Sequence, residues 1–177
     1  MKWAFFITLI IIELYMNALL KNLIKHLFAT FYISISEHFF HTTDRPVRGS
    51  LVYGDTLLGH LRHSGVYVGD NLIVHKTKQG RIEAVTKPQF LSELNGFSLY
   101  VSCDNQGIPV GDEACALRAQ QAIRCVETYS HLTHNSHAFC GYCLTGVKAP
   151  HITLLSHLKI EASTYLNAHQ WRVWRIK

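Results

Sequence analysis

Two histidines and one serine are the residues of this chain whose types and spacing could do chemistry. His63 and His75 begin and end the stretch HSGVYVGDNLIVH, and Ser136 lies in the stretch HNSHAFCGYCLTG at residues 134–146. A side chain in the first turn of a helix lies beside free backbone N–H groups and the positive end of the helix dipole. These groups activate a nucleophile and can bind an oxyanion, and a neighbouring imidazole can take the nucleophile's proton. The three residues therefore predict nucleophilic catalysis, provided that the fold brings them together.

Whether the two histidines can act together depends on the register of their hairpin. A two-residue turn at residues 69–70 would place His63 and His75 on opposite faces. A three-residue loop at residues 69–71 instead pairs Gly65 with His75 and makes His63 a diagonal neighbour on the same face. The Gly and Asn of that loop tolerate the left-handed backbone that it needs. We expect the second register; two surface histidines without a chemical role are the alternative.

The strands that carry the hairpin follow from alternation of apolar and polar residues. Residues 51–102 predict a run of strands, interrupted by a short helix at residues 87–96. The final QWRVWRIK alternates as a strand and predicts both tryptophans on one face. We therefore expect an α+β fold, an antiparallel β-meander with helices packed to one side.

Two further helices are predicted after the strands. Asp112 can cap a helix through residues 113–129. The second helix should begin near Asn135, run to about Leu144 and end at Gly146. This boundary places Ser136 at the start of the second helix, where a nucleophile would be activated.

The cysteines do not predict a disulfide framework or a metal site. Their number is odd and their spacing is not that of a small disulfide-rich scaffold, so we expect reduced thiols in a cytosol-like compartment. Those in the two predicted helices are expected to be small apolar core residues: Cys115, Cys125, Cys140 and Cys143. The CGYC cysteines lie inside a predicted helix and no second Cys pair exists, so a zinc or dithiol site is not expected there. The histidines at 131, 134 and 137 have no carboxylates beside them, and we expect most of these three to be solvated. The sequence thus predicts neither a metal nor a cofactor.

The first forty residues differ in character from the rest. Residues 3–20 are long enough to nearly span a hydrocarbon core of ~30 Å, but Glu13 near the middle opposes insertion. A second apolar run at 27–35 favours a packed helix instead, so both readings stay open. We expect two parts: a hydrophobic membrane-associating or packing helical segment at 1–41, and the main domain at 42–177. Lysines after the first run favour a cytoplasmic body.

The charge of the chain is only moderately basic. The formal net charge is +5, and no basic cluster alternates with aromatic residues, so nucleic-acid binding is not expected. This charge suits association with an anionic membrane surface.

Three stretches together resemble one known family. HSGVYVGDNLIVH resembles the histidine hairpin of the lecithin:retinol acyltransferase-like proteins, the circularly permuted branch of the NlpC/P60 papain-like superfamily. NSHAFCGYCLTG resembles the Asn-Cys-His-x-Phe nucleophile motif of its bacterial members, and LVYGDTLL resembles the Gly-Asp strand that opens the domain. The resemblance covers roughly residues 47–147.

The resemblance implies a permuted papain-like domain that cleaves or transfers acyl groups through a thioester. It implies that His63 is the general base, that His75 orients it, and that position 136 holds the nucleophile. The expected substrate is an acyl ester or amide of a lipid or a peptide.

Position 136 departs from the family because it holds serine in place of cysteine. A hydroxyl is far less acidic than a thiol, whose pKa is ~8.5. Three explanations stay open: a Cys-to-Ser replacement made to trap an inactive form, a natural pseudoenzyme, or a working serine hydrolase. The expected function is a thiol hydrolase or acyltransferase scaffold in an inactive Cys-to-Ser form. The alternatives are a non-catalytic lipid- or acyl-binding module at a membrane, and an assembly through residues 3–35.

Overall fold

A computed structural model describes most of the main domain and little of the first segment. The described residues are 20–21, 24–25, 42–43, 45–55, 62–96, 98–127, 130, 135–148 and 151–175. The chain divides into a unit of residues 1–35 and a unit of residues 36–177. Apart from its last residue, the apolar segment at 3–20 lies outside the described residues, as does the run at 27–35. Within the described part of the chain, no helix has the length and apolar character needed to cross a bilayer.

One sheet organises the second unit, in the order β1-β7-β6-β2-β3-β4-β5. The six strands β2 to β7 pair antiparallel, and the two-residue β1 pairs parallel with β7. Strands β2 to β5 form the predicted meander, and β6 returns to pair with β2. The α+β class and the antiparallel sheet are therefore confirmed. The strands are β1 (Thr42–Thr43), β2 (Leu51–Gly54), β3 (His63–Gly69), β4 (Leu72–Lys76), β5 (Ile82–Thr86), β6 (Leu99–Cys103) and β7 (Gln170–Trp174).

Among the described residues of the second unit, four helices accompany the sheet, and local capping explains the ends of several of them. The predicted short helix begins after Thr86, which forms a capping box with Gln89, and ends at a left-handed Asn95. Asp112 caps the next helix as predicted, its Oδ1 accepting a hydrogen bond from Cys115 N at 2.7 Å. The helices are α1 (Lys87–Leu94), α2 (Glu113–Gln121), α3 (Ser136–Thr145) and α4 (Leu155–Leu166).

Helix α2 ends eight residues before the predicted end at 129. The chain turns through Arg124, whose φ is 74°, and then runs along the start of β5. There Ile82 N donates to Cys125 O at 3.0 Å and Arg124 N donates to Ile82 O at 3.0 Å. These long-range backbone bonds replace the helical ones. Cys125 is consequently exposed, so its expected role as a core residue is wrong.

The core lies on both faces of the sheet, and the expectation of helices on one side is wrong. One face, here the three-helix face, packs against α2, α3 and α4. The other, here the α1 face, packs against Phe90 and Leu94 of α1. The reason is that β2 and β6 are buried at every residue, so each face needs a cover. Trp171 and Trp174 are an odd number of residues apart and lie toward opposite faces, which corrects the prediction of a shared face.

The histidine hairpin has the predicted register. Gly65 pairs with His75, as the expected centre of the hairpin requires. The connection itself differs from a plain three-residue loop: the turn is Asp70-Asn71, with φ values of 51° and 59°, and the register shifts between Tyr67 and Gly69. The bulge supplies the extra residue, so His63 and His75 share one face as expected.

Candidate functional site

The two hairpin histidines are in direct contact. His63 Nε2 lies 2.9 Å from His75 Nδ1, and the rings meet edge to face with centroids 5.1 Å apart. Phe90 of α1 packs against both rings, at 5.5 Å from His63 and 5.2 Å from His75. We call these two residues the histidine pair. The diagonal approach expected from the hairpin register is thus realised on the α1 face.

Both members of the histidine pair are neutral at pH 7. Burial lowers the pKa of His63 to about 3, with smaller contributions from His75, His137 and Lys78. Burial also lowers the pKa of His75 to about 4. One ring must donate and the other accept in their shared hydrogen bond. Because His63 uses Nε2 for this bond, its Nδ1 is the nitrogen left to act as a base.

Ser136 is the first residue of α3, as predicted. Asn135 caps the helix: its Oδ1 accepts hydrogen bonds from His137 N at 3.0 Å and Ala138 N at 3.1 Å. Its side-chain amide donates to Thr153 O at 2.7 Å, which ties the helix start to the chain before α4. The cap already uses two of the N–H groups of the first turn. The helix start therefore offers fewer donors to an oxyanion than the sequence indicates.

The Ser136 hydroxyl contacts the backbone of β3. Its Oγ accepts a hydrogen bond from Ser64 N at 3.3 Å, and Ser64 Oγ lies 2.9 Å from His137 Nδ1. We call Ser64, Ser136 and His137 the serine corner. Ser136 is only 2% exposed. Among the described residues, its Oγ has no hydrogen bond to His63 or His75.

The histidine pair and the serine corner meet at one peptide unit. Alternation along β3 turns the Ser64 side chain toward the three-helix face, where α3 packs, and the His63 side chain toward the α1 face. The fold thus brings Ser136 to the residue next to His63 along the chain. It joins the three predicted site residues into one region, but the hydroxyl is bonded to backbone instead of an imidazole.

Two residues of the serine corner were missed from the sequence. His137 was expected to be solvated, yet it is buried, and burial lowers its pKa to about 4. Ser64 was given no role. The alternation of side chains along β3 could have identified Ser64. It turns Ser64 to the face of the sheet that His63 does not use, which is the face against which the helix with His137 packs.

The other ring nitrogen of His75, Nε2, faces two carboxylates that were not predicted from the sequence. His75 Nε2 lies 3.9 Å from Glu83 Oε1 and 3.8 Å from Glu93 Oε2. Among the described residues, these three are the side chains whose ligand atoms are grouped closely enough to hold a metal ion. The tight turn at residues 77–80 could have indicated the contact with Glu83, because a turn at that place pairs His75 with Glu83 across the two strands.

The helix thiols behave as core residues, as expected for Cys115, Cys140 and Cys143. All three are buried, and all five cysteines of the chain are free. Burial raises the pKa of Cys140 to about 12, against a smaller opposing effect of its hydrogen bond to Ser64. Burial also raises the pKa of Cys115 and Cys143. Such thiols are poor nucleophiles, because the thiolate is the reactive form.

Comparisons of the chain with protein-family models, with curated proteins and with solved structures found no match.

Proposed function

We propose that this chain is a papain-like thiol hydrolase or acyltransferase scaffold that carries serine at the position of the nucleophile. The observation that carries the proposal is the 2.9 Å contact between His63 and His75, one residue away from the contact between Ser64 and Ser136. The order of these parts along the chain resembles the lecithin:retinol acyltransferase-like pattern.

In this proposal each residue has a defined task. His75 orients the imidazole of His63, and His63 Nδ1 accepts the proton of the group at position 136. A thiolate there attacks the acyl carbon, the leaving group takes the proton from His63, and the resulting thioester passes its acyl group to water or to another acceptor. A buried imidazole with a pKa of about 3 is too weak a base to ionise a serine hydroxyl. The chain with Ser136 is therefore inactive in this scheme.

The proposed substrate is an acyl ester or amide of a lipid or a peptide. The proposal includes membrane association through residues 3–35, with the main domain in the cytoplasm. Two apolar runs in that range and a net charge of +5 support it. Nucleic acid and cofactors have no part in the proposal.

Restoring a thiol at position 136 tests the proposal. We expect Ser136→Cys, made in a Cys125→Ser background, to be labelled by iodoacetamide at neutral pH faster than any native thiol. The background matters because Cys125 is exposed and would be labelled itself, whereas the other native thiols are buried. The rate against pH should report a thiol pKa below the ordinary ~8.5, because a thiolate beside His63 would stabilise the imidazolium and raise the pKa of that ring from its lowered value.

Two further variants complete the test. Adding His63→Ala should return the labelling profile to that of an ordinary thiol and abolish any cleavage of ester, thioester or amide substrates. Ser136→Ala in the same background should show neither labelling nor cleavage. An ordinary thiol profile in the Ser136→Cys chain, together with no turnover of lipid, thioester and peptide substrates, would refute the proposal.

A non-catalytic lipid- or acyl-binding module is the second candidate. The observation that favours it is the buried Ser136 hydroxyl, which stabilises the Ser64 backbone and is not bonded to an imidazole. In that case fatty-acyl ligands should bind equally well to the natural chain, to Ser136→Ala and to Ser136→Cys, without turnover in any of them. If Ser136→Cys turns over substrate and the other two chains do not, the enzyme scaffold is the correct function.

A further inference from the structure

We propose that His75, Glu83 and Glu93 form a zinc site beside the histidine pair. Imidazole nitrogen and carboxylate oxygen are ligands that Zn²⁺ accepts, and three protein ligands leave one coordination position open. This site uses the ring nitrogen of His75 that faces away from His63. It does not involve Ser136. Zinc on His75 Nε2 makes His75 Nδ1 the donor to His63 Nε2 and leaves the proton of His63 on Nδ1, so the acyl chemistry of the proposed function belongs to the zinc-free chain.

Three separate elements place the ligands around one point. His75 in β4 and Glu83 in β5 are directly paired across the two strands, so their side chains leave the sheet on the same face. Glu93 comes from the last turn of α1, which packs on that face. The ligand atoms of all three residues lie within 4.8 Å of one another.

His75 provides an observation that is independent of the acidic pair. Its side chain is fully buried, and its Nε2 has no hydrogen-bond partner among the described residues. The two carboxylates are the nearest acceptors, but at 3.9 Å and 3.8 Å they are too far for a hydrogen bond. Buried nitrogens are normally satisfied, so an unpartnered one aimed between two carboxylates points to a missing ligand.

The spacing fits a zinc ion once the two carboxylates move inward, since the three ligand atoms lie within 4.8 Å of one another. Zinc bonds of about 2.0–2.2 Å in a tetrahedron separate neighbouring ligand atoms by about 3.3–3.5 Å. The separations of 3.9 Å and 3.8 Å from His75 Nε2 must therefore shrink by roughly half an ångström. Both glutamate side chains have room to move, because they are 35% and 43% exposed.

The surroundings show where the fourth ligand would bind. Glu83, Glu93 and His63 line a cavity of about 240 Å³, which is large enough for water or a small ligand. Lys78 and Arg81 line the same cavity and oppose a cation. The two carboxylates balance these two positive charges, and we therefore expect binding that is specific but weaker than at a site with carboxylates alone.

Metal binding to the full chain in detergent tests the site, with Zn²⁺ and Co²⁺ as the probes. We expect one equivalent of Zn²⁺ by isothermal titration, and a four-coordinate Co²⁺ absorption spectrum without a thiolate charge-transfer band. Glu83→Gln and Glu93→Gln should each weaken Zn²⁺ binding at least about 100-fold, because even second-shell changes cost 10–100-fold. Glu161→Gln is the matched control: it removes a carboxylate 3.7 Å from the Nε2 of the exposed His151, outside the cavity.

Thermal unfolding with and without Zn²⁺ gives a second measurement on the same proteins. Zinc should raise the melting temperature of the natural chain and of Glu161→Gln, and should not raise that of Glu83→Gln or Glu93→Gln. The inference is overturned if the natural chain takes up no equivalent of Zn²⁺, if both glutamine variants bind as the natural chain does, or if the Co²⁺ spectrum shows thiolate ligands. The acyl tests are run with a metal chelator, so zinc binding without acyl chemistry would refute only the proposed function, and the reverse result would refute only the zinc site.

Discussion

At the scale of single residues, the site is defined by neutral histidines. His63, His75 and His137 are all buried, and each has a partner atom that suits the neutral ring. The histidine pair is thereby neutral at pH 7, and burial makes it a weak base that accepts a proton only where a negative charge forms beside it. Such a base can act on an acidic nucleophile such as a thiol, whereas a serine hydroxyl is not acidic enough.

The buried histidines predict a loss of stability in mild acid. In the folded chain the pKa of His137 is about 4, against 6.5 for an ordinary histidine. Between these values the unfolded state binds the proton and the folded state does not, so the free energy of unfolding falls as the pH falls from 6.5 toward 4. Each such histidine contributes at most about 1.4 kcal/mol per pH unit.

Urea unfolding between pH 7 and pH 4 measures this effect. His137→Gln should make the dependence on pH less steep, whereas His169→Gln, at an exposed histidine, should leave the slope unchanged. A slope that is the same in the natural chain and in His137→Gln would contradict the assignment of His137 as a buried neutral ring.

At the scale of elements, a glycine in β3 makes the histidine pair possible. A Cβ at Gly65 would lie 2.5 Å from Ile73 Cγ2, 3.1 Å from Val74 O and 3.3 Å from Phe90 Cε2. Gly65 therefore lets α1 approach the sheet directly between His63 and His75. The close approach is needed because Phe90 of α1 packs on both imidazole rings.

We expect Gly65→Ala to destabilise the domain by about 1–3 kcal/mol, because the extra methyl group overpacks a β-branched side chain and a ring. Chemical denaturation measures the change. Ala84→Gly, a change of one methyl group in β5 of the same sheet, is the comparison and should cost only about 0.5–1 kcal/mol. If Gly65→Ala proves as stable as the natural chain, Gly65 does not set the distance between α1 and the sheet.

At the scale of the whole molecule, one sheet with covers on both faces forms the second unit. Three helices cover the face that carries the serine corner, and α1 covers the face that carries the histidine pair. The two groups meet at the start of β3, where His63 and Ser64 are adjacent in the chain and face opposite sides of the sheet.

Vesicle flotation tests the proposed membrane association. We expect the full chain to float with vesicles that contain anionic lipid, and to stay bound in high salt because apolar contacts carry most of the binding. A chain without residues 1–35 should remain in the dense fraction. Its melting transition should match that of the main domain in the full chain. Flotation of the shortened chain, or none of the full chain, would contradict the proposal.

The local features of this protein could be predicted from its sequence. The caps at Asp112 and Asn135, the end of α3 at Gly146 and the pairing of Gly65 with His75 depend on neighbouring residues and on the period of strands and helices. These short-range preferences place Ser136 at a helix start and two imidazoles on one face. They are the parts of the site for which the sequence is sufficient.

The tertiary structure alone decided how these parts combine. The backbone bonds between residues 124–125 and Ile82 end α2 early, and the second face of the sheet required α1 as its cover. The bond from Ser64 to Ser136, and the approach of Glu83 and Glu93 to His75, join segments that are far apart in the chain or belong to different elements. Such contacts depend on the packing of the whole domain, because no local preference fixes which distant polar groups meet when the apolar faces are buried.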